Sequence, residues 1–326
     1  MHLLQRCAFM GLFSLLMTPL PGTATENEFP SRPITIVVGW SAGGATDLLA
    51  RQLGEAMTQA AGQSIIVENK AGANGTIGHS QAARSRADGY TSLLATNSTF
   101  AIAPHLYPSL PFDQQRDLAP VGLIAESPLV LVASPKSNIT SLQELLEKAK
   151  ANPDTLNVAS GGGGSTSHMA AEMLMALADI NLTHIPYKGG SPATIAVAAS
   201  EVDVAFLDLG VALPLLKENR LHPLGVSSTQ RSNLLPDVPT LNEAGIQAFE
   251  ATTSFGIFVP INTPAPVIER LHSIVDAAMN EPTLRAKLSD QGVMLRSEDP
   301  DGLKRYVAQE QQRWKDIIKT RNITLD

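Results

Sequence analysis

The sequence predicts an α/β protein of two lobes, each a mostly parallel sheet flanked by helices, with two chain crossings between them. Three observations predict it. Apolar, β-branched runs alternate with amphipathic stretches at the spacing of strand–helix–strand units. The alternation runs through one block, restarts in a second and ends in a run of helices. A chain of 326 residues, 44% hydrophobic and 17% charged, holds material for more than one core at roughly 100–200 residues per domain.

Ile34–Val38 is a continuous apolar run, the pattern of a strand buried on both faces. The loop Gly39–Gly44 follows. A helix comes next, with Leu49, Leu53, Ala56, Met57 and Ala60 on one face and Gly62 at its end. Strands are expected at Ser64–Val67 and Thr91–Ala95, separated by a loop with Gly72, Gly75 and Gly78, a short helix and an Asp88-Gly89 turn. The second block opens with a strand at Pro128–Ala133 and a helix at Ser141–Lys150. A strand at Leu156–Ala159, the loop Gly161–Gly164 and a helix carrying Met169, Met173, Leu174 and Leu177 come after it. Further strands fall at Thr183–Pro186, Val202–Leu207 and Leu224–Ser227.

The tail begins with a strand at Phe255–Val259 and continues as three helices. One is expected to start with Thr263 as its cap. The last starts at Asp299-Pro300 and carries Leu303, Tyr306, Val307, Trp314, Ile317 and Ile318 at helical spacing, a core-facing stripe. The tail is expected to complete the first lobe, with crossings near 126–132 and 250–258. That sets one lobe at 25–126 plus 254–326 and the other at 127–253. The cleft between them is the natural ligand site.

The N-terminus reads as an address. A charged start is followed by an apolar run, Cys7–Leu20, and by Gly22-Thr23-Ala24. The run is about 14 residues, short of the roughly 20 a membrane-spanning helix needs. Residues 1–24 are therefore expected to be a leader cleaved after Ala24, which directs the chain to the periplasm. Cys7 is the only cysteine, so the mature chain has no disulfide and no thiolate chemistry. The net charge is −7 and the Lys and Arg residues are scattered, which argues against nucleic acid. The seven His are dispersed and no His-Glu-x-x-His occurs, so neither metal nor cofactor is expected.

Two loops carry the functional reading. Ser41-Ala42-Gly43-Gly44 joins a strand to a helix, where free N–H groups and a partial positive charge suit an anion. The same turn also serves simple geometry. Ser160–His168, with four glycines, repeats the arrangement in the second block. Neither is a nucleotide motif, since Gly-Lys occurs nowhere. The candidate ligand-binding residues of the first block are Trp40, Ser41, Ala42, Gly43, Gly44, Asp47, Thr96 and Asn97. Those of the second are Gly161, Gly162, Gly163, Ser165, Thr166, His168 and Asp208. Asp47 also fits loop bracing, His168 also fits a neutral ring bonded to its loop, and Asp208 fits bracing or contact equally. Ser165, His168 and Asp208 are the residues a hydrolase would use, but the Gly-x-Ser-x-Gly elbow is absent.

The motifs resemble one family. They are Pro30-Ser31-Arg32-Pro33-Ile34, Ser41–Gly44 with Asp47, Val67–Gly75, and Ala87-Asp88-Gly89-Tyr90-Thr91. His184–Gly189, Phe206-Leu207-Asp208, Pro236–Thr240 and Glu243-Ala244-Gly245 complete them. In this order they are similar to the Bug family, the extracytoplasmic solute receptors of tripartite tricarboxylate transporters. The resemblance implies a Venus-flytrap binding fold of the second type and a carboxylate held by backbone N–H groups and waters. It also implies a monomer that partners membrane permease subunits; a ligand-presenting partner of a sensor kinase shares the fold. Family members often carry Pro-Phe-Pro where this chain has Gly39-Trp40-Ser41. Trp40 then either narrows the pocket or packs inward.

Overall fold

The computed structural model describes residues 29–325. The leader expected at 1–24, with Cys7, lies outside the described residues. The first lobe opens with β1 (Ile34–Val38), α1 (Ala45–Ala61), β2 (Ile65–Asn69), α2 (Thr76–Ala83) and β3 (Thr91–Thr96). A π-helical turn (Ser98–Ile102) and two short helices, α3 (Ala103–Leu106) and α4 (Gln114–Asp117), lead into the long strand β4 (Leu118–Ala133). The second lobe holds α5 (Leu142–Ala151), β5 (Asn157–Ser160), α6 (Thr166–Ala178), β6 (Thr183–Pro186), α7 (Gly190–Ala198), β7 (Val204–Asp208), α8 (Leu209–Lys217) and β8 (His222–Val226). Strand β9 (Thr252–Pro260) returns the chain to the first lobe, which ends with α9 (Ala265–Met279), α10 (Pro282–Ser289), β10 (Met294–Glu298) and α11 (Pro300–Arg321).

The strand order is β2-β1-β3-β9-β4-β7-β5-β6, with β10 and β8 also on β4. In the first lobe β1, β2 and β3 are parallel, and β4 shares their direction because β9 runs antiparallel to both β3 and β4. In the second, β5, β6 and β7 are parallel and β4 lies antiparallel to β7 and β8. Most strands of each lobe share a direction; the opposed ones are β9 and β10 in the first and the crossing strand β4 in the second.

The apolar run of β1 has a packing cause. Ile36 and Val38 join the cluster of Leu49, Leu53 and Met57 from α1 with Leu271 and Ile274 from α9. Val37 points to the other layer, which holds Leu303 and Trp314 of α11. A strand covered on both faces has no side left for polar residues. Helix α11 starts where the sequence predicts, with the Asp299 carboxylate accepting from Gly302 N–H at 2.7 Å. Its stripe of Leu303, Val307, Trp314 and Ile318 is buried, and the Trp314 indole N–H donates to Glu310 at 3.0 Å within the core.

Three local expectations change. Strand β4 begins at Leu118 rather than Pro128: Pro120 and Gly122 interrupt the pattern, and register shifts at Pro120/Gly122 and Leu123/Ala125 carry the strand past them. Strand β10 was not anticipated, because its polar sequence suits a sheet edge paired on one side. Thr263 does not cap α9. Pro264 takes that position, and the Thr263 hydroxyl donates to Pro260 O at 2.7 Å.

The hinge is two adjacent strands. On β4, Glu126 still pairs with Ser254 and Met294 of the first lobe, and Leu129 already pairs with Asp208 of the second. Beside it, Thr252 begins β9 opposite Pro128.

Candidate ligand-binding site

Four strands, β1 in the first lobe and the mutually parallel β5, β6 and β7 in the second, each feed a helix, and those helices (α1, α6, α7 and α8) present their N-termini to one cleft between the lobes. Gly44, Ala45 and Thr46 come from α1, and Ser165, Thr166 and Ser167 from α6. Gly190 and Thr194 come from α7, Asp208 and Val211 from α8. Trp40, Thr96 and Ser98 complete the first-lobe wall, and Leu129 and Thr253 form the floor at the hinge. The cleft has a volume of about 50 Å³. Among the described residues, no Lys or Arg lines it, and Asp208 is its only titratable one.

The charge that suits an anion therefore comes from the backbone. The first N–H groups of a helix have no acceptor within it, and the aligned peptide dipoles add a partial positive charge there. No side chain caps α1, α7 or α8. An anion in the cleft meets these uncapped ends directly.

The glycine loops shape the cleft more than they donate to it. Gly43 N–H donates to the Asp47 carboxylate at 2.8 Å. Gly161 N–H donates to Ser167 Oγ at 3.0 Å and Gly162 N–H to Ser160 Oγ at 3.1 Å. Gly164 N–H donates to His168 Nδ1 at 3.0 Å. Gly43 and Gly162 adopt φ of 77° and 131°, the left-handed region that favours glycine.

Asp47 and His168 stand behind the loops. Burial alone raises the Asp47 carboxyl, but bonds from Arg51, Gly43 N–H and Asn69 outweigh it and hold the group below the usual carboxylate range. His168 accepts at Nδ1 and faces Glu172 through Nε2 at 3.2 Å. Its ring stacks on His184 at 3.9 Å between centroids. Burial and then the neighbouring His168 push His184 down to about 4, and its Nε2 lies 2.6 Å from Ser160 Oγ.

Direct bonds join the lobes. Thr166 N–H donates to Ser98 Oγ at 3.0 Å, and the Thr166 hydroxyl donates to Asn97 Oδ1 at 2.8 Å. Asn97 is fully buried and also donates to Thr252 O at 2.9 Å, which ties this latch to the hinge. The Tyr107 hydroxyl donates to Gly163 O at 2.8 Å.

Two buried polar atoms in the cleft have no partner: Thr96 Oγ1 and Asp208 Oδ1. Such groups cost about 1–3 kcal/mol each when unsatisfied, and a ligand relieves the cost. Burial pushes the Asp208 carboxyl up to about 6, against the opposing effect of its bond with Thr253.

Of the residues singled out in the sequence, Trp40, Gly44, Thr96, Gly161, Ser165, Thr166 and Asp208 line the cleft. Ser41 sits at the seam, where a Cβ added to Gly189 of the other lobe would lie 2.5 Å from its Oγ. Ala42 and Gly43 are exposed at the rim. Gly162 and Gly163 line a neighbouring chamber, while Asp47, Asn97 and His168 support the walls. Sequence reading missed Ala45, Thr46, Ser98, Gly190 and Val211. The missing capping side chain at Gly44 and the acid in the first turn, Asp47, were the available signals for the first two.

Ser165, His168 and Asp208 do not form a relay. Ser165 Oγ accepts from the backbone N–H of His168 at 3.2 Å, and the imidazole is engaged by Gly164 and Glu172. A wider groove, about 730 Å³, lies behind the hinge, but its arginines are already paired: Arg231 with Glu243, Arg296 with Glu126 and Arg313 with Glu310. Among the described residues, no group of three or more acidic, His or Cys side chains is placed to hold a metal ion, and no helix is long and apolar enough to cross a membrane.

Two lobes, two hinge strands and a cleft at the carboxyl ends of the strands define a binding protein of the periplasmic type. The sequence matches the tripartite tricarboxylate transporter family receptor over residues 49–323, and the chain belongs to that family. BugT of Bordetella pertussis is 31% identical over 320 residues, 98% of each chain. The periplasmic binding protein BugD superposes with a TM-score of 0.88 at 32% identity, over 91% of this chain and 99% of that one. MatC of Rhodopseudomonas palustris, solved with bound malate, gives 0.85 at 32% identity, over 89% and 100%. The Bug-family resemblance and the Venus-flytrap fold read from the motifs are borne out.

Proposed function

We propose that the protein captures a small carboxylate-bearing molecule in the cleft and delivers it unchanged to the permease subunits of a tripartite tricarboxylate-type transporter. It works in the periplasm as a monomer, after loss of residues 1–24. The observation that carries this reading is the convergence of uncapped helix N-termini on a cleft that no Lys or Arg lines among the described residues. Malate bound in MatC supports the same ligand class. The near carboxylate sits against the first turn of α1, at Ala45 and Thr46, and against the ends of α7 and α8. Thr96 Oγ1 donates to it. Closure brings 127–253 onto 25–126 plus 254–326 and excludes water, which strengthens each charge-assisted bond. Asp47, His168 and Asn97 act by bracing.

A thermal-shift screen of the chain from Thr25 onward tests this, with organic acids, acidic amino acids, amides and sugars. An acid at about 100 times its Kd stabilises by about 2.7 kcal/mol, a rise of several degrees. The bound acid is recovered unchanged by mass spectrometry. Stabilisation by sugars or amides alone would remove carboxylates as the ligand class.

A further inference from the structure

Two of the sequence motifs have no part in the proposed carboxylate site: Gly72–Gly75 in the first lobe and Pro186–Lys188 in the second. They face each other across a chamber of about 260 Å³ that shares Trp40 and Gly161 with the cleft. The cleft's own 50 Å³ is small beside the roughly 300 Å³ at which ordinary ligand pockets begin. The body of an organic acid needs further room, and the chamber adjoins it. Together the two spaces reach the lower end of ordinary ligand pockets, about 300 Å³.

The chamber wall is chemically unfinished. Asn74 is 7% exposed, adopts φ of 54° and lies beside the Tyr107 hydroxyl, but neither its amide oxygen nor its amide nitrogen makes a hydrogen bond of ordinary length and angle. An amide is rarely buried this way unless something outside the chain completes it. The nearby Tyr107 hydroxyl already donates to Gly163 O. Lys188 is exposed at the same space and, among the described residues, is its only charged lining residue. The Trp40 ring stands beside Gly75 at the chamber's edge.

We propose that this chamber is a second anion subsite, which takes the far carboxylate of an extended diacid through the Lys188 ammonium and the Asn74 amide. The proposal rests on the carboxylate reading above, with the near carboxylate at the helix N-termini. Trp40 walls both spaces, so the ligand's chain lies along the indole and its length is read there. Because the walls come from both lobes, the subsite is complete only in the closed protein.

Calorimetric titration tests it with straight-chain diacids of four to eight carbons and the matching monoacids. The proteins are wild type, Lys188→Met and Asn74→Gly; glycine keeps the left-handed backbone and removes the amide. Wild type binds a diacid of one length at least about tenfold tighter than its monoacid, the size of one charge-assisted bond. Both variants lose that margin and keep monoacid affinity within about twofold, a comparison internal to each folded protein. Equal binding of monoacid and diacid by wild type, or a margin that survives in both variants, overturns the subsite and leaves carboxylate capture standing. Wild type that binds no acid in the series contradicts capture itself, and the subsite with it.

Discussion

A carboxyl group buried in a cleft proposed to take an anion sets two negative charges against each other unless one of them carries a proton. Asp208 is that group, lifted by burial to about 6 from an ordinary 3.8. Between those values the folded chain holds a proton that the unfolded chain has released. Stability therefore falls as pH rises through this window and levels off above it. Asp208→Asn should melt higher than wild type near pH 7.5, by up to about 3 kcal/mol at about 1.4 kcal/mol per pH unit, with the difference vanishing toward pH 4. Carboxylate affinity of wild type should fall over the same window and that of the variant should not, which titrations at a series of pH values measure. The candidate role of Asp208 was legible from its place at the end of an apolar strand. Ala45 and Thr46 were marked only indirectly, by the uncapped Gly44 before them and Asp47 after them, because a backbone N–H leaves no mark of its own in the sequence. Which glycine N–H groups are occupied depends on Ser160, Ser167 and His168, and those bonds exist only once the loop is folded.

Helix α1 gives up stability at its own start. Gly44 has extended backbone (φ −83°, ψ 170°) that any residue adopts, yet it offers no side chain to the first turn. A Cβ built there would meet Ser41 O at 3.5 Å, an ordinary contact. Gly44→Asp should therefore cap the helix and stabilise the fold by about 1 kcal/mol. The same carboxylate occupies the N–H groups an anion uses and repels it, so affinity for a binding acid should drop at least about tenfold. Denaturant melts and calorimetry on one preparation measure the two opposite effects, and a variant that gains stability and keeps affinity would remove α1 from the site. Elements with one strong pattern were readable: β1 by its apolar run, α11 by its cap and stripe. The first half of β4 was not, since Pro120 and Gly122 look like loop and only the bulges opposite β9 keep them in the sheet.

At the scale of the whole molecule, closure depends on how near the lobes approach. One place with no room for a further atom is Gly189, with φ of 125°, against Ser41 of the other lobe. Gly189→Ala places a methyl group 2.5 Å from Ser41 Oγ and should hold the cleft ajar. Ligand affinity should fall about tenfold or more, and small-angle scattering with saturating ligand should give a larger radius of gyration than wild type. The two-lobed plan was legible because the strand–helix pattern restarts after the first block. That β4 belongs to both sheets was not, since strand pairing is a long-range property and the local run is equally apolar on either side of the crossing.

The central claim is that the anion is held by uncapped helix ends without a cation. Mapping of backbone amide resonances, with a carboxylate titrated into the isotope-labelled protein, tests it most directly. The account predicts the largest shifts at Ala45 and Thr46 and at the first turns of α7 and α8. Shifts confined to the groove behind the hinge, at Arg231, Arg296 and Arg313, or no shift with any acid, would contradict it.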